Sequence, residues 1–451
     1  MWTETFLLRG GVWNMIMRFQ RDLWQVFLVF LAVMVSFPVV NTGDTVALTL
    51  EEAVRAGLQN NHRIKQYRAL TEAQRRRVES LKSAFWPEIT LGYTFSRQDN
   101  AVSSLQNREN SLISGEITYN LFKGLSDLKA LEESEAILDS TIYELQAMKA
   151  DISLQIKQAY VELLRERRGL KIAEDAVRLL ERQAKDARAF YREGLIAKND
   201  LLKVEVELAS AVQERALSRA RLRIAKRRLE RLIGIAVDLR EVMEITAEDT
   251  MNYNDEEKLR REMLQRRSEL KFIKALKRAR ELRVQGIGGG YLPSITLSLT
   301  HERYGDSFVP DGRADLFDTQ SRAMMIARWN IFDGFRRRYQ IEAERSEILA
   351  LEERLRDTKE ELLLQLTTVL ENYRTSKERL KVARKAVEQA GENYRITENR
   401  FRQRMATTTD LLDARFFLTR AENDLKNAEY DYYLSLAELE RVVGLDRETK
   451  K

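Results

Sequence analysis

Two periodicities alternate along this chain. Ile156, Ala159, Leu163, Glu166, Leu170, Ala173, Val177, Leu180, Ala184 and Ala187 recur at spacings of three and four. The same spacing returns in Leu366, Val369, Tyr373, Ser376, Leu380, Ala383, Val387, Ala390, Tyr394 and Thr397. Such heptad seams predict left-handed coiled-coil packing, and their many small residues allow close helix approach. A helix over 125–190 would be roughly 100 Å long at 1.5 Å per residue. The chain then turns at 192–199 into a returning helix over 200–233. A second long helix over 335–400 turns at 402–409 and returns over 410–443, and further helices are expected at 48–82 and 255–285.

Before each long hairpin the period drops to two. Ile89, Leu91, Tyr93 and Phe95 alternate with polar or small residues, as do Ile117, Tyr119 and Leu121. Ile295, Leu297 and Leu299, and then Met325, Ala327, Trp329 and Ile331, do the same. This predicts four half-buried strands at about 86–96, 114–122, 291–301 and 323–333, paired as two β-hairpins. The loops 97–113 and 303–322 carry Gly, Asn, Asp and Ser without an apolar pattern, as exposed tips do. Aromatics lie near the strand ends (Tyr93, Phe95, Tyr119, Phe122, Trp329, Phe332), as in the girdles of membrane barrels. Four strands with two open edges cannot close a barrel alone, so such a sheet must oligomerise.

The pattern occurs twice because the sequence does. Asn120-Leu-Phe-Lys-Gly124 recurs as Asn330-Ile-Phe-Asp-Gly334, and Leu229-Glu-Arg-Leu-Ile-Gly234 as Leu439-Glu-Arg-Val-Val-Gly444, both at an offset of 210. Trp86-Pro-Glu-Ile-Thr-Leu91 matches Leu292-Pro-Ser-Ile-Thr-Leu297 at 206, so four residues were gained between Leu297 and Asn330. Residues 44–247 and 248–451 are therefore read as two structural repeats. The fold class is mainly α with a small β part, a strand pair plus long helical hairpin in duplicate. Prolines stand only at 38, 87, 293 and 310, leaving two long tracts free for helix.

Composition narrows the function. The net charge is only +6, with 76 Lys and Arg interleaved among 70 Asp and Glu, which describes solvated helix faces rather than a nucleic-acid stripe. There is no cysteine, which excludes disulfides and thiolate metal sites. His62 and His301 are far apart in sequence and read as surface or helix residues, so neither a metal nor a cofactor is expected. Gly286-Ile-Gly-Gly-Gly290 lacks the Lys-Ser/Thr of a phosphate loop and reads as a flexible joint between helix and strand. No hydrolase or metalloprotease motif occurs, so the chain is expected not to be an enzyme. At the N-terminus, Arg18 and Arg21 precede an apolar run from Leu23 to Phe37 and then Pro38. Residues 1–43 therefore read as an export signal with an undefined cleavage site, a retained anchor being the alternative.

Leu48-Thr-Leu-Glu-Glu-Ala-Val54 with Asn60-Asn61, Trp86-Pro-Glu-Ile89, Phe-x-Gly at 122–124 and 332–334, and Asp410-Leu-Leu-Asp-Ala414 follow in an order that resembles the TolC-type outer-membrane efflux family. The resemblance spans about 48–445. It implies a homotrimer whose four strands per subunit form one 12-stranded β-barrel in outer-membrane lipid, continued through the periplasm by a hollow α-barrel. It also implies partnership with a periplasmic adaptor and an inner-membrane transporter, for which this chain is the exit duct. By the same resemblance Asp410 and Asp413 are gate residues, two carboxylate rings attracting cations at the tunnel mouth. Asp410 equally suits a helix start favoured by the macrodipole. Where the family holds its gate with a Tyr and an Arg, this chain has Phe401 and Ala406, which leaves Arg402 and Arg404 as candidate latches. Arg192, Gly194 and Leu195, with Arg404 and Met405 on the second tip, resemble adaptor-docking positions, although Gly194 also suits simple helix capping. The rival reading is a periplasmic coiled-coil scaffold or adaptor, which would have no use for four strands of period two.

Overall fold

The computed structural model describes residues 48–98, 108–245, 253, 255–313, 317–403, 405–406 and 408–445. The expected export signal and Arg404 lie outside them. In chain order the elements are α1 (Leu50–Asn60), α2 (His62–Lys82), a 3-10 turn (Ser83–Phe85), β1 (Glu88–Arg97), β2 (Glu109–Lys123), α3 (Ser126–Arg192) and α4 (Lys198–Ile233). They continue as α5 (Glu256–Arg266), α6 (Ser268–Gly289), β3 (Ser294–Gly305), β4 (Thr319–Arg328), α7 (Arg336–Arg402) and α8 (Thr408–Val443). The duplication holds element by element. Helices α3 and α7 have 67 residues each, and α4 and α8 have 36 each. Leu125 and Phe335, both left-handed at φ 64°, make the same turn from sheet into helix behind Gly124 and Gly334.

Three features differ from the sequence expectation. The helix expected over 48–82 is broken by Asn61, and that over 255–285 by Arg267, each with one residue near φ −58°. One extended residue does not disturb an apolar pattern enough to be seen. Asn61 stabilises its break by accepting from the Arg63 amide and donating to the Leu232 carbonyl at 2.9 Å. The glycine run is not a joint, because α6 continues to Gly289. Its lack of side chains instead permits close backbone approach: a Cβ on Gly289 would lie 2.0 Å from the Gly124 carbonyl oxygen. Finally, β2 starts at Glu109, β3 runs to Gly305, and β4 spans 319–328 rather than 323–333. Ladder hydrogen bonds continue through polar residues such as Asn110 and Gln320, whereas apolar alternation is blind to them.

The four strands form one antiparallel sheet in the order β1-β2-β3-β4. Its register aligns Ile89, Ile117, Leu299 and Ala323 in one row, with Tyr119, Leu297 and Met325 in the next. A bulge between Asn120 and Phe122 sets Phe122 opposite Ile295, adding a further apolar row. The other face carries Thr90, Glu116, Thr300 and Arg322 in register. Leu91 and Met325 on the apolar face are 77% and 72% exposed, so none of the described residues covers them.

Helix α3 is the hub. Its Ile152, Ile156, Tyr160, Leu163 and Leu164 bury against Ala53 and Val54 of α1, Ile64 of α2, and Leu229 and Ile233 of α4. The second repeat builds a like core from Leu362, Leu366, Leu370 and Tyr373 of α7 with Leu439 and Val443 of α8. Every heptad position named above is buried or half-buried in both long helices. The thrice-and-fourfold spacing alone thus located the seam along which each hairpin packs.

The two repeats meet where α3 packs on α6 and α8. There the buried Arg441 of α8 reaches Asp151 of α3 at 2.6 Å and Glu269 of α6 at 2.7 Å. Arg267 donates to the Arg441 carbonyl at 2.8 Å and pairs with Glu269 at 3.1 Å. Burial pushes the Glu269 carboxyl up, but Arg441 and Arg267 outweigh it and hold it below the usual carboxylate range. Burial, then the neighbouring Arg441, pushes Arg267 down to about 10, which leaves it charged at neutral pH. Since Glu269 is held low, its contribution is present above its unfolded pKa and lost as pH falls through the folded value.

Removing a buried cation leaves two carboxylates facing each other. Arg441→Met should cost on the order of 3 kcal/mol, the low end for broken buried pairs because Asp151 is half exposed. Denaturant unfolding of the detergent-solubilised protein measures it, and an unchanged midpoint would show that the network holds nothing together. At the backbone joint, Gly124→Ala would place a Cβ 1.9 Å from the Gly289 oxygen, whereas the equivalent Gly334→Ala meets nothing within 4 Å. Gly334→Ala should therefore cost about 1–2 kcal/mol from its left-handed φ alone, and Gly124→Ala distinctly more, as a larger drop in Tm.

Candidate functional site

The sequence places its candidates at the two hairpin tips. At the first, α3 ends in a Schellman arrangement: the Leu195 amide donates to the Phe190 carbonyl at 2.8 Å, and Gly194 to Tyr191 at 3.0 Å. Gly194 takes φ 74°, the left-handed value that favours glycine. The turn pushes Leu195 outward to 65% exposure, beside the exposed Arg192. Asp200, in the first turn of α4, lies 3.6 Å from Lys203. Arg188 and Glu205 tie α3 to α4 just above the tip at 2.9 Å.

The second tip repeats the design. The Met405 amide donates to the Arg400 carbonyl at 2.8 Å, matching the Leu195–Phe190 bond, and Met405 is likewise exposed. Arg402, a candidate latch, pairs with Glu398 one turn back at 2.9 Å, so in this subunit its charge is met locally. Asp410 stands in the first turn of α8 and Asp413 one turn later, both exposed and on the same side of the helix. Arg415 stacks over Tyr394 with its guanidinium 5.5 Å from the ring centre, tying α7 to α8. The tips thus bring Asp410 and Asp413 together on one helix, with Arg192, Gly194 and Leu195 on the other hairpin.

Phe416 and Phe417 were not anticipated. They follow Asp413 on α8, contact each other edge-on with ring centres 5.9 Å apart, and are exposed. The buried line of α8 runs through Ala414 and Leu418, so both rings lie off it. Apolar residues out of phase with the heptad were the signal available in the sequence.

Among the described residues no group of three or more His, Cys, Asp or Glu is placed to hold a metal ion. No described helix is long and apolar enough to cross a membrane.

Comparison with known proteins agrees with this architecture. The chain is 22% identical over 410 residues to the outer membrane protein TolC of Vibrio cholerae, covering 88% of this chain and 91% of that one. It is 24% identical over 307 residues to protein CyaE of Bordetella pertussis, covering 67% of this chain and 64% of the length of CyaE. The crystal structure of the Campylobacter jejuni CmeC outer membrane channel superposes with a TM-score of 0.72 at 14% identity, covering 89% of each chain. The family described as outer membrane efflux protein matches twice, over residues 53–235 and 259–445. Those segments start 206 residues apart and end 210 apart, the two offsets of the internal repeat. With both halves matched in this way, the chain belongs to the outer membrane efflux protein family, the TolC-type channels of the outer membrane.

Proposed function

We propose that the protein is a passive exit duct: a homotrimer whose sheets form one 12-stranded barrel in outer-membrane lipid and whose long helices form a tunnel through the periplasm. The observation that supports this best is the sheet. One face carries apolar rows that cross the strands at Ile89, Ile117, Leu299 and Ala323 and at Tyr119, Leu297 and Met325, the other is mostly polar, and among the described residues nothing pairs with the outer edges of β1 and β4. Lipid answers the apolar face, a water-filled lumen answers the polar one, and strands of other copies answer the edges. A soluble scaffold or adaptor offers no occupant for that face.

Efflux proteins of this family work with an inner-membrane transporter and a periplasmic adaptor. The exposed Leu195 and Met405, presented on matching turns with Arg192 and Gly194, are the surface we assign to the adaptor. Asp410 and Asp413, repeated three times around the axis, would gather negative potential at the tunnel mouth and favour cations there. Arg402, already paired with Glu398, serves as a latch only by exchanging that exposed partner, which is inexpensive for a surface ion pair.

Two experiments test this reading. Leu297→Arg should impair insertion by roughly 2–4 kcal/mol if the residue lies near mid-bilayer, while Thr296→Arg on the opposite face should insert normally. Equal damage from both, read as heat-resistant trimer recovered from the outer membrane, would remove the barrel. For the gate, the reconstituted channel should be cation-selective and blocked by multivalent cations from the hairpin side. Joint replacement of Asp410 and Asp413 by alanine should abolish the block with little change in trimer stability. A helix-start role predicts instead a loss of about 1 kcal/mol with the block intact.

A further inference from the structure

The apolar face of the sheet changes character toward its loop end. Beyond the row of Ile89, Ile117, Leu299 and Ala323 comes the row of Leu91, Gly115, His301 and Ser321. Next stand Tyr93, Ile113, Arg303 and Thr319, and then Phe95, Ser111 and Gly305. Successive rows on one face lie roughly 7 Å apart along the strands. An all-apolar row thus gives way within about 14 Å to one that carries a cation.

Gly115 leaves a hollow in this face. A Cβ there would meet nothing within 4 Å, and Ile89, Ile117, Leu299, Ala323 and His301 line the depression of about 570 Å³ around it. Its lower end is apolar, and His301 stands toward the loops. The imidazole Nδ1 is engaged with Ser321 Oγ at 2.8 Å, which leaves Nε2 as the ring nitrogen for a ligand.

One row further, Arg303 is exposed and makes no ion pair among the described residues. The carboxylates of the strands are engaged elsewhere. Glu88, Glu116 and Glu302 alternate onto the opposite face, and Glu109 is held by Arg97 at 3.2 Å. A lipid-facing arginine is inexpensive only near the membrane interface, which sets its row at head-group depth. There a cation without a counter-ion favours an anionic partner.

A strap roofs the site. The β3–β4 connection folds back over the apolar face rather than the polar one. Its Phe308 packs edge-on against Tyr93 and Phe95, with ring centres 5.8 and 5.3 Å away, and the Tyr93 hydroxyl donates to the Phe308 carbonyl. The strap passes directly over Gly305, where a Cβ would lie 2.5 Å from the Val309 carbonyl oxygen, and Ser111 beside it is only 1% exposed.

We propose that this face holds a phosphate-bearing lipid of the outward leaflet, with an acyl chain in the Gly115 hollow and the phosphate at Arg303 and His301. This rests on the barrel reading above, in which the loop end of the sheet meets that leaflet. Pairing along the edges of β1 and β4 leaves the face open, so the site stays free in the assembled trimer. Phosphate suits two donors set one row apart on β3, because it offers several charged acceptor oxygens.

Native mass spectrometry of the full-length trimer, purified in detergent and titrated with bisphosphorylated lipid A, tests the site. The wild type should retain the lipid. Arg303→Gln and Gly115→Leu should each weaken retention about tenfold, whereas Arg322→Gln on the polar face should leave it unchanged. Both variants should still assemble, since Arg303 makes no ion pair and a Cβ at Gly115 is unobstructed. Lipid A stripped of its phosphates should bind about as weakly to the wild type as intact lipid A does to Arg303→Gln, and inorganic phosphate should not displace the intact lipid. Undiminished retention by Gly115→Leu, equal losses in Arg303→Gln and Arg322→Gln, or equal binding of the stripped lipid overturns the site. Displacement by inorganic phosphate overturns the lipid assignment. A wild-type trimer that retains no lipid A overturns the proposal and leaves the barrel standing, whereas a monomeric wild type removes both.

Discussion

A strand edge in hydrocarbon has nowhere to place its hydrogen bonds. Each bare amide or carbonyl there costs several kcal/mol, and β1 and β4 each present a full edge. That requirement reaches well beyond the sheet. It demands a partner along both edges, and in the proposed trimer the left and right flanks of one chain must fit each other.

The helices inherit this arrangement through two rigid joints. Gly124 with Leu125, and Gly334 with Phe335, make the same left-handed turn into a 67-residue helix, two residues after β2 in the first repeat and seven after β4 in the second. The direction of the strands therefore sets the direction of the helices. Around the middle of those helices, the Arg441 network and the two apolar clusters fix how far one hairpin stands from the next. Geometry settled at the membrane is thus carried to the distant tips, where Asp410, Asp413, Leu195 and Met405 are displayed.

Much of this was legible in the sequence for a definite reason. Coiled-coil seams and half-exposed strands imprint regular periods on the chain, and regular periods survive without any knowledge of long-range contacts. Leu163, Val177, Leu366 and Tyr373 were located in that way, and all are buried. What escaped was whatever depends on residues distant in sequence. Arg441 meets Asp151 across 290 positions, and nothing local distinguishes it from the surface arginines around it. Gly286-Ile-Gly-Gly-Gly290 was read as a joint because glycine usually breaks helices, while the use of Gly289 depends on Gly124 arriving from another element. At the tips, the turn chemistry of Gly194 was visible, but the exposed pair Phe416–Phe417 required attention to residues outside the seam.

The equal helix lengths have one more consequence. A shaft of 67-residue and 36-residue helices in matched pairs is a ruler, graduated in residues, that sets how far the tips stand from the sheet. A ruler with a heptad seam changes length only in steps that keep the seam aligned, and both repeats must change together. The loop between β3 and β4 has no seam to keep. The one change of repeat offset, from 206 to 210, falls there, leaving the strand registers of the two hairpins the same. History could lengthen the chain at its outer tip; along the shaft, it had to count in sevens.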